Sequence, residues 1–170
     1  MKRSFILLLV LMGALSTGSA APRVEEFDPL KFFTGRTRSS GVFENRRGEP
    51  TNPVKTETTG RLVNGELHLE QILFIGNEAG QHRSWKVRRI GRTRFEATAN
   101  DMVGTARGNV SGNTFTWTFT LVTKPGNPLF NVRMTQHMYL QPDGRTMINR
   151  SMIRKFGILV ASVTEQFRRH

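Results

Sequence analysis

Residues 114–122 read Thr-Phe-Thr-Trp-Thr-Phe-Thr-Leu-Val, and this stretch decides the fold. Phe115, Trp117, Phe119 and Leu121 alternate unbroken with Thr114, Thr116, Thr118 and Thr120. A period of two sends each set to its own face of a β-strand. Threonine suits the wet side of a pleated surface and the aromatics the dry side.

The same period recurs outward from this segment. Leu67, Leu69, Leu73 and Ile75 share a parity after the hairpin signal Asn64-Gly65. Trp85 and Val87 share a face, and after Gly91 the pattern resumes at Phe95, Ala97 and Ala99. Val132, Met134, Met138 and Leu140 alternate up to the turn Pro142-Asp143-Gly144. Ile148, Met152 and Phe156 predict one further dry face, and Leu159, Ala161, Val163 and Phe167 another. Residues 45–53, with two prolines, read as a loop, and Asp28-Pro29-Leu30 as the capped start of a short helical turn. The strands follow at intervals of roughly 10–15 residues, parted by Gly, Asn, Asp and Pro, as sandwiches and barrels require. The expected fold is all-β: an antiparallel meander of about eight to ten strands in a closed or partly closed barrel. A two-sheet sandwich satisfies the same pattern, but short turns without long crossovers favour the barrel.

The chain starts with a basic pair, Lys2 and Arg3, an apolar run from Phe5 to Leu15, and the small residues Gly18 and Ala20. That order predicts a secretory signal peptide over residues 1–20, cleaved after Ala20, with a single domain over 21–170. The apolar run has 11 residues, too few for a helix that needs about 20 to cross a bilayer. Cysteine is absent, so neither a disulfide nor a lipid-bearing cysteine is available, and a soluble periplasmic protein is expected.

Without Lys2 and Arg3 the chain holds 23 basic and 13 acidic residues, a net charge of +10. Arginine supplies 19 of the 25 basic residues of the whole chain, and its planar fork suits phosphate and carboxylate. Nucleic acid is set aside because the chain is exported, which leaves an anionic membrane surface as the expected partner of such charge.

The segments 27–43 (FDPLKFFTGRTRSSGVF), 101–108 (DMVGTARG) and 138–167 (MYLQPDGRTMINRSMIRKFGILVASVTEQF) resemble an uncharacterised bacterial envelope family. It is a domain of unknown function, many of whose members are described as lipoproteins, and the resemblance runs from Phe27 to Phe167. A weaker likeness is to lipocalins and fatty-acid-binding proteins, carried by Phe33 and Gly35, with Arg36 where those families have a tryptophan. This second resemblance implies a lipocalin-like barrel and a binding role. Neither implies a catalytic residue.

Several residues are candidates for chemistry. Gly104 and Gly108 flank Thr105-Ala106-Arg107 without the Gly-Lys-Ser/Thr ending of a phosphate loop, so a strand or bulge is expected. Arg107 itself is a candidate for an anion or for Asp101. His68, His82, His137 and His170 lack zinc-site spacing, although His68 and His137 could approach in space. The acids to inspect are Glu70, Asp101 and Asp143, and no Gly-x-Ser-x-Gly or His-Glu-x-x-His occurs. No enzyme, metal or cofactor is therefore expected. Trp85, Phe95, Trp117, Phe119, Met134 and Met138 either fill the core or line a cavity. Arg150 shares the parity of Ile148 and Met152, which predicts an inward charge that either bridges the barrel or anchors a ligand's carboxylate or phosphate.

The expected function is a non-enzymatic binding protein for an apolar or anionic lipid-like ligand. Its expected ligand-binding residues are Trp85, Phe95, Trp117, Phe119, Met138, Arg107 and Arg150. The alternative is an envelope interaction protein whose arginine-rich surface contacts lipid headgroups or a partner protein. An interior cavity of ~300 Å³ or more would favour the first and a solid core the second.

Overall fold

The computed structural model describes residues 26–170. The predicted signal peptide and its cleavage point lie outside the described residues. A short helix, α1 (Pro29–Phe33), precedes ten strands: β1 (Gly35–Asn45), β2 (Pro50–Val63), β3 (Glu66–Ile75), β4 (Gln81–Arg89) and β5 (Arg94–Ala99), then β6 (Met102–Ser111), β7 (Thr114–Leu121), β8 (Val132–Leu140), β9 (Thr146–Lys155) and β10 (Ile158–Arg169). Each strand pairs antiparallel with its neighbour in sequence, and β1 pairs with β10 to close the barrel. Closure gives every strand a partner on both sides, which removes the exposed edges of an open sheet. The barrel, and not the sandwich, is the fold.

The period of two places side chains where the sequence suggested on most strands. On β7 the aromatic set and Leu121 are buried while the threonines are half-exposed. Leu67, Leu69, Trp85, Val87, Met134, Met138, Val163 and Phe167 all face the interior.

Strand β9 departs from its expected parity. Met147, Asn149 and Ser151 are buried and Arg150 is exposed, so the strand turns its more polar set inward. Ile148 and Met152 are only half-buried on the outer side. The predicted loop over 45–53 is also shorter than expected. Only residues 46–49 form the connection, and β2 begins at Pro50. Pro50 and Pro53 lie beside a bulge between Val42 and Glu44, a rim position where proline's missing N–H is tolerated.

Helix α1 forms as its sequence suggested. Asp28 Oδ1 accepts from the backbone N–H groups of Leu30 (2.9 Å) and Lys31 (3.3 Å), and Pro29 occupies the first turn. The helix plugs one end of the barrel with Phe32 and Phe33, joined by Phe27. These rings meet Phe115 and Phe167 edge-on at 6.0 Å each. At that end the interior is a solid aromatic plug. The opposite end carries the β1–β2, β3–β4, β5–β6, β7–β8 and β9–β10 connections.

The Gly104–Gly108 stretch is a bulge and a close approach. The β6–β7 register shifts between Val103 and Arg107, and a Cβ on Gly108 would sit 2.5 Å from the Phe115 ring.

Candidate functional site

Between the aromatic plug and the open end the interior changes character. A cavity of about 90 Å³ is lined on its apolar side by Trp85, Trp117, Met134 and Met138, and on its polar side by Gln71, Gln136, Asn149, Ser151 and Glu165. Exposed Gln81 and His82 also line it, so it reaches the surface at the end away from α1.

The two tryptophans stack with ring centroids 5.0 Å apart and planes 22° from parallel. Each indole N–H is held by an inward glutamine: Trp85 Nε1 donates to Gln71 Oε1 at 2.8 Å and Trp117 Nε1 to Gln136 Oε1 at 2.5 Å. The glutamines are fixed in turn, Gln71 Nε2 donating to Thr58 Oγ1 (3.2 Å) and Gln136 Nε2 to Ser151 Oγ (2.9 Å). Two satisfied donors therefore set the plane of the indole stack, which a purely apolar wall would leave free to slide.

Glu165 is the buried acid of the site. Its Oε1 accepts from Ser39 Oγ (2.7 Å) and Thr56 Oγ1 (3.0 Å), and its Oε2 from Asn149 Nδ2 (3.4 Å). Burial pushes its carboxyl pKa up, and the hydrogen bonds from Ser39, Thr56 and Asn149 offset that only in part. The side-chain amide oxygen of Asn149, Oδ1, also buried, has no hydrogen-bond partner among the described residues. A buried acceptor without a donor is costly, so this atom marks a place where a donor from outside the chain would be stabilising.

The interior cation is Arg83, whose Nε and Nη2 both reach Asp101 Oδ2 at 2.7 Å. That pair is internally neutral, and with Glu165 the cavity carries no surplus positive charge. Among the described residues an anionic headgroup thus finds no free cation inside.

The expected site residues divide accordingly. Trp85, Trp117 and Met138 line the cavity. Phe119 supports it from behind, edge-on to Trp85 at 5.2 Å and to Trp117 at 5.6 Å. Phe95 lies outside it, packed against Phe115 at 5.5 Å. Arg107 and Arg150 correct the expectation of an inward arginine. Arg107 is exposed, 3.8 Å from Glu96 and not paired with Asp101, and Arg150 points outward from β9. His68 pairs with Glu66 and His82 with Glu70, while His137 bonds Thr116 on a strand far around the barrel from His68. Asp143 serves its turn, with its pKa lowered by the Thr146 hydroxyl and the Arg145 and Thr146 amides.

Glu165, Gln71, Gln136 and Ser151 were not evident as site residues in the sequence. Glu165 did carry a signal, since it shares the parity of Val163 and Phe167.

Glu165→Gln is expected to raise the melting temperature at pH 8 and to lose that advantage by pH 4. The folded protein keeps a proton that the unfolded chain releases near pH ~4.3. Glu165's contribution is therefore complete below that pH and falls as pH rises through its raised folded pKa. Glutamine keeps the acceptor for Ser39 and Thr56, and its amide can donate to Asn149 once that side chain turns over. Thermal melts of both proteins across this range check it. Parallel loss of stability from pH 4 to pH 8 would show that Glu165 titrates as in the unfolded chain.

This is a lipocalin-like barrel, with an apolar plug at one end and a polar-floored cavity at the other. The chain belongs to the family described as protein of unknown function (DUF3833), whose model matches residues 7–169. A comparison with curated proteins finds none that matches. Among solved structures it is similar to the S-type phycobiliprotein lyase CPES from Guillardia theta, with a TM-score of 0.61 and 8% identity. That match covers 83% of this chain and 90% of the other. At such identity the likeness is one of fold.

Proposed function

We propose that this protein binds, without catalysing a reaction on it, a small apolar ligand whose polar end donates hydrogen bonds. The observation that carries this reading is the meeting of the Trp85–Trp117 stack with Glu165 and the unpartnered Asn149 Oδ1 in one cavity. An aromatic wall takes the body of such a ligand, and the acceptors take its N–H or O–H groups. The likeness to the phycobiliprotein lyase supports the barrel shape that this reading needs. Both Glu165 oxygens are already held by side chains of β1, β2 and β9, which suits an acceptor of fixed position better than a mobile proton carrier.

Of the two ligand classes expected, the apolar one is favoured. The anionic one is disfavoured, because the candidate arginines face solvent and Arg83 is neutralised by Asp101. The cavity of about 90 Å³ is smaller than the ~300 Å³ of an ordinary ligand pocket. Entry of a ligand therefore requires Met134 and Met138 to repack, and unbranched methionine does this readily. The signal-like order of residues 2–20 supports export, and the periplasm is the compartment proposed.

The test is native mass spectrometry of protein purified gently from its own cells. A bound small molecule at one copy per chain, absent from Trp117→Ala, is the expected result. A clean ligand-free mass that stays unchanged after incubation with envelope extract would sink the reading. The small cavity favours a second reading, in which the protein acts through its basic surface on lipid headgroups or a partner protein.

A further inference from the structure

The open end of the barrel carries a projecting apolar patch set among cations. Two hairpins in this barrel have two-residue turns with the same backbone. Asn64-Gly65 joins β2 to β3 with φ of 50° and 82°, and Phe156-Gly157 joins β9 to β10 with φ of 51° and 83°. Asparagine is at home in that left-handed conformation, whereas a bulky aromatic side chain is strained there. Phe156 is nonetheless 77% exposed, so no packing inside the chain offsets the strain. Its neighbours at the same end, Ile158 at 66% and Leu129 at 65%, are also exposed.

The charges carried by the β7–β8 and β9–β10 segments themselves are of one sign, while Glu44 of β1, which accepts from Ser162 Oγ at 2.7 Å, is an acid that barrel closure brings beside β10. Lys155 Nζ lies 4.7 Å from the Phe130 ring and 5.7 Å from the Phe156 ring, and Lys124 Nζ lies 5.1 Å from Phe130. These contacts tie the β7–β8 connection to the β9–β10 hairpin. Beside them Arg133 on β8 stands directly across from Arg154 on β9, a like-charge pairing that destabilises a sheet unless an anion joins it. Residues 122–133 and 150–162 contain no Asp or Glu. Among the described residues none of these four cations forms an ion pair.

We infer that this rim docks the barrel, open end down, on an anionic phospholipid surface. The inference deepens the surface reading and names the face that acts. Phe156, Phe130, Leu129 and Ile158 enter the interfacial region, where aromatic rings are favoured, while the lysine and arginine heads remain at phosphate level. Charge complementarity selects this occupant. A second copy of the chain would set the same cations against themselves in a two-fold interface. A hairpin tip projecting with its ring into solvent also suits a soft interface better than a rigid flat partner. The cavity reaches the surface at this same end, so docking would bring its mouth to the bilayer.

The test is co-sedimentation of protein, made from the full chain and purified as the cell processes it, with sucrose-loaded vesicles. Vesicles of phosphatidylglycerol and phosphatidylcholine in equal parts are compared with pure phosphatidylcholine. The wild type is expected to bind the anionic vesicles and to be released by high salt. Lys124→Glu with Lys155→Glu should lower partitioning by about twentyfold or more, from roughly fivefold per cation at such a surface. Phe156→Asn should lower it by about tenfold while raising the melting temperature, because asparagine relieves the turn. A role confined to folding would raise stability and leave partitioning unchanged, which overturns the inference. Vesicle binding that both variants retain would move the contact to another basic face, removing this rim but leaving the surface reading in place. A wild type indifferent to anionic vesicles would remove the rim and the lipid form of that reading together. A wild-type dimer that Phe156→Asn dissociates would assign the rim to a second copy and likewise overturn the inference.

Discussion

Trp117→Ala is expected to cost about 3–5 kcal/mol of stability, the usual range for deleting a large buried aromatic. Trp117 joins the aromatic and polar sides of the interior. It stacks on Trp85, meets Phe119 at 5.6 Å and Phe115 at 5.3 Å, and donates to Gln136. Alanine would open a void against three rings and leave a half-buried glutamine oxygen without its donor. At roughly 2–4 °C per kcal/mol for a domain of this size, the melting temperature should fall by about 6–20 °C. Thr118→Ala on the same strand, where the side chain is half-exposed, should move it by no more than about 2 °C. Comparable losses for the two variants would mean that β7 is not the inner wall described.

Gly41→Ala should be the most damaging single methyl addition at the seam that closes the barrel. Gly41 sits opposite Glu165 in the β1–β10 pairing. A Cβ built on it would lie 2.0 Å from the Thr164 carbonyl oxygen, 2.7 Å from Glu165 Cα and 2.8 Å from Glu165 Cγ. Two of those three atoms are backbone, so relief requires the strands to part. A cost of about 3 kcal/mol is expected, at the upper end of ordinary overpacking. The shift should also disturb the Ser39–Glu165 hydrogen bond, so the pH dependence described for Glu165 should weaken in this variant. Guanidinium melts at pH 5 and pH 8 check both parts, and an unperturbed midpoint would contradict the close approach of β1 and β10.

The barrel was legible in the sequence because most strands obey one rule. An apolar interior and a wet exterior write themselves as a period of two, and β3, β4, β7, β8 and β10 carry it. Strand β9 was misread for a physical reason. Its inner face is part of the polar floor, so Asn149 and Ser151 point inward and Ile148 and Met152 outward. Where the interior is polar, hydropathy picks the wrong face, and one residue of register reverses every assignment. Arg150 was carried to the inside by that same inversion.

Glu165 shows the other limit. Its parity placed it inside, but its environment comes from Ser39 and Thr56, 126 and 109 residues earlier in the chain. No local pattern announces donors brought together by barrel closure. The turn at Phe156-Gly157 shows the reverse case. Phe156 looked like the last apolar residue of a strand, whereas the backbone gives it a turn position and an exposed ring.

We propose that the interior beside Glu165 accepts an apolar guest bearing a donor. The most direct measurement is a titration with N-phenyl-1-naphthylamine, a neutral probe with one N–H, exciting the protein's own tryptophans. The chain has two tryptophans, Trp85 and Trp117, and both line the cavity. Saturable one-to-one energy transfer from the indoles to the probe is expected, weakened by Glu165→Leu and insensitive to high salt. Tryptophan emission that stays unchanged throughout the titration, with no transfer to the probe, would contradict it.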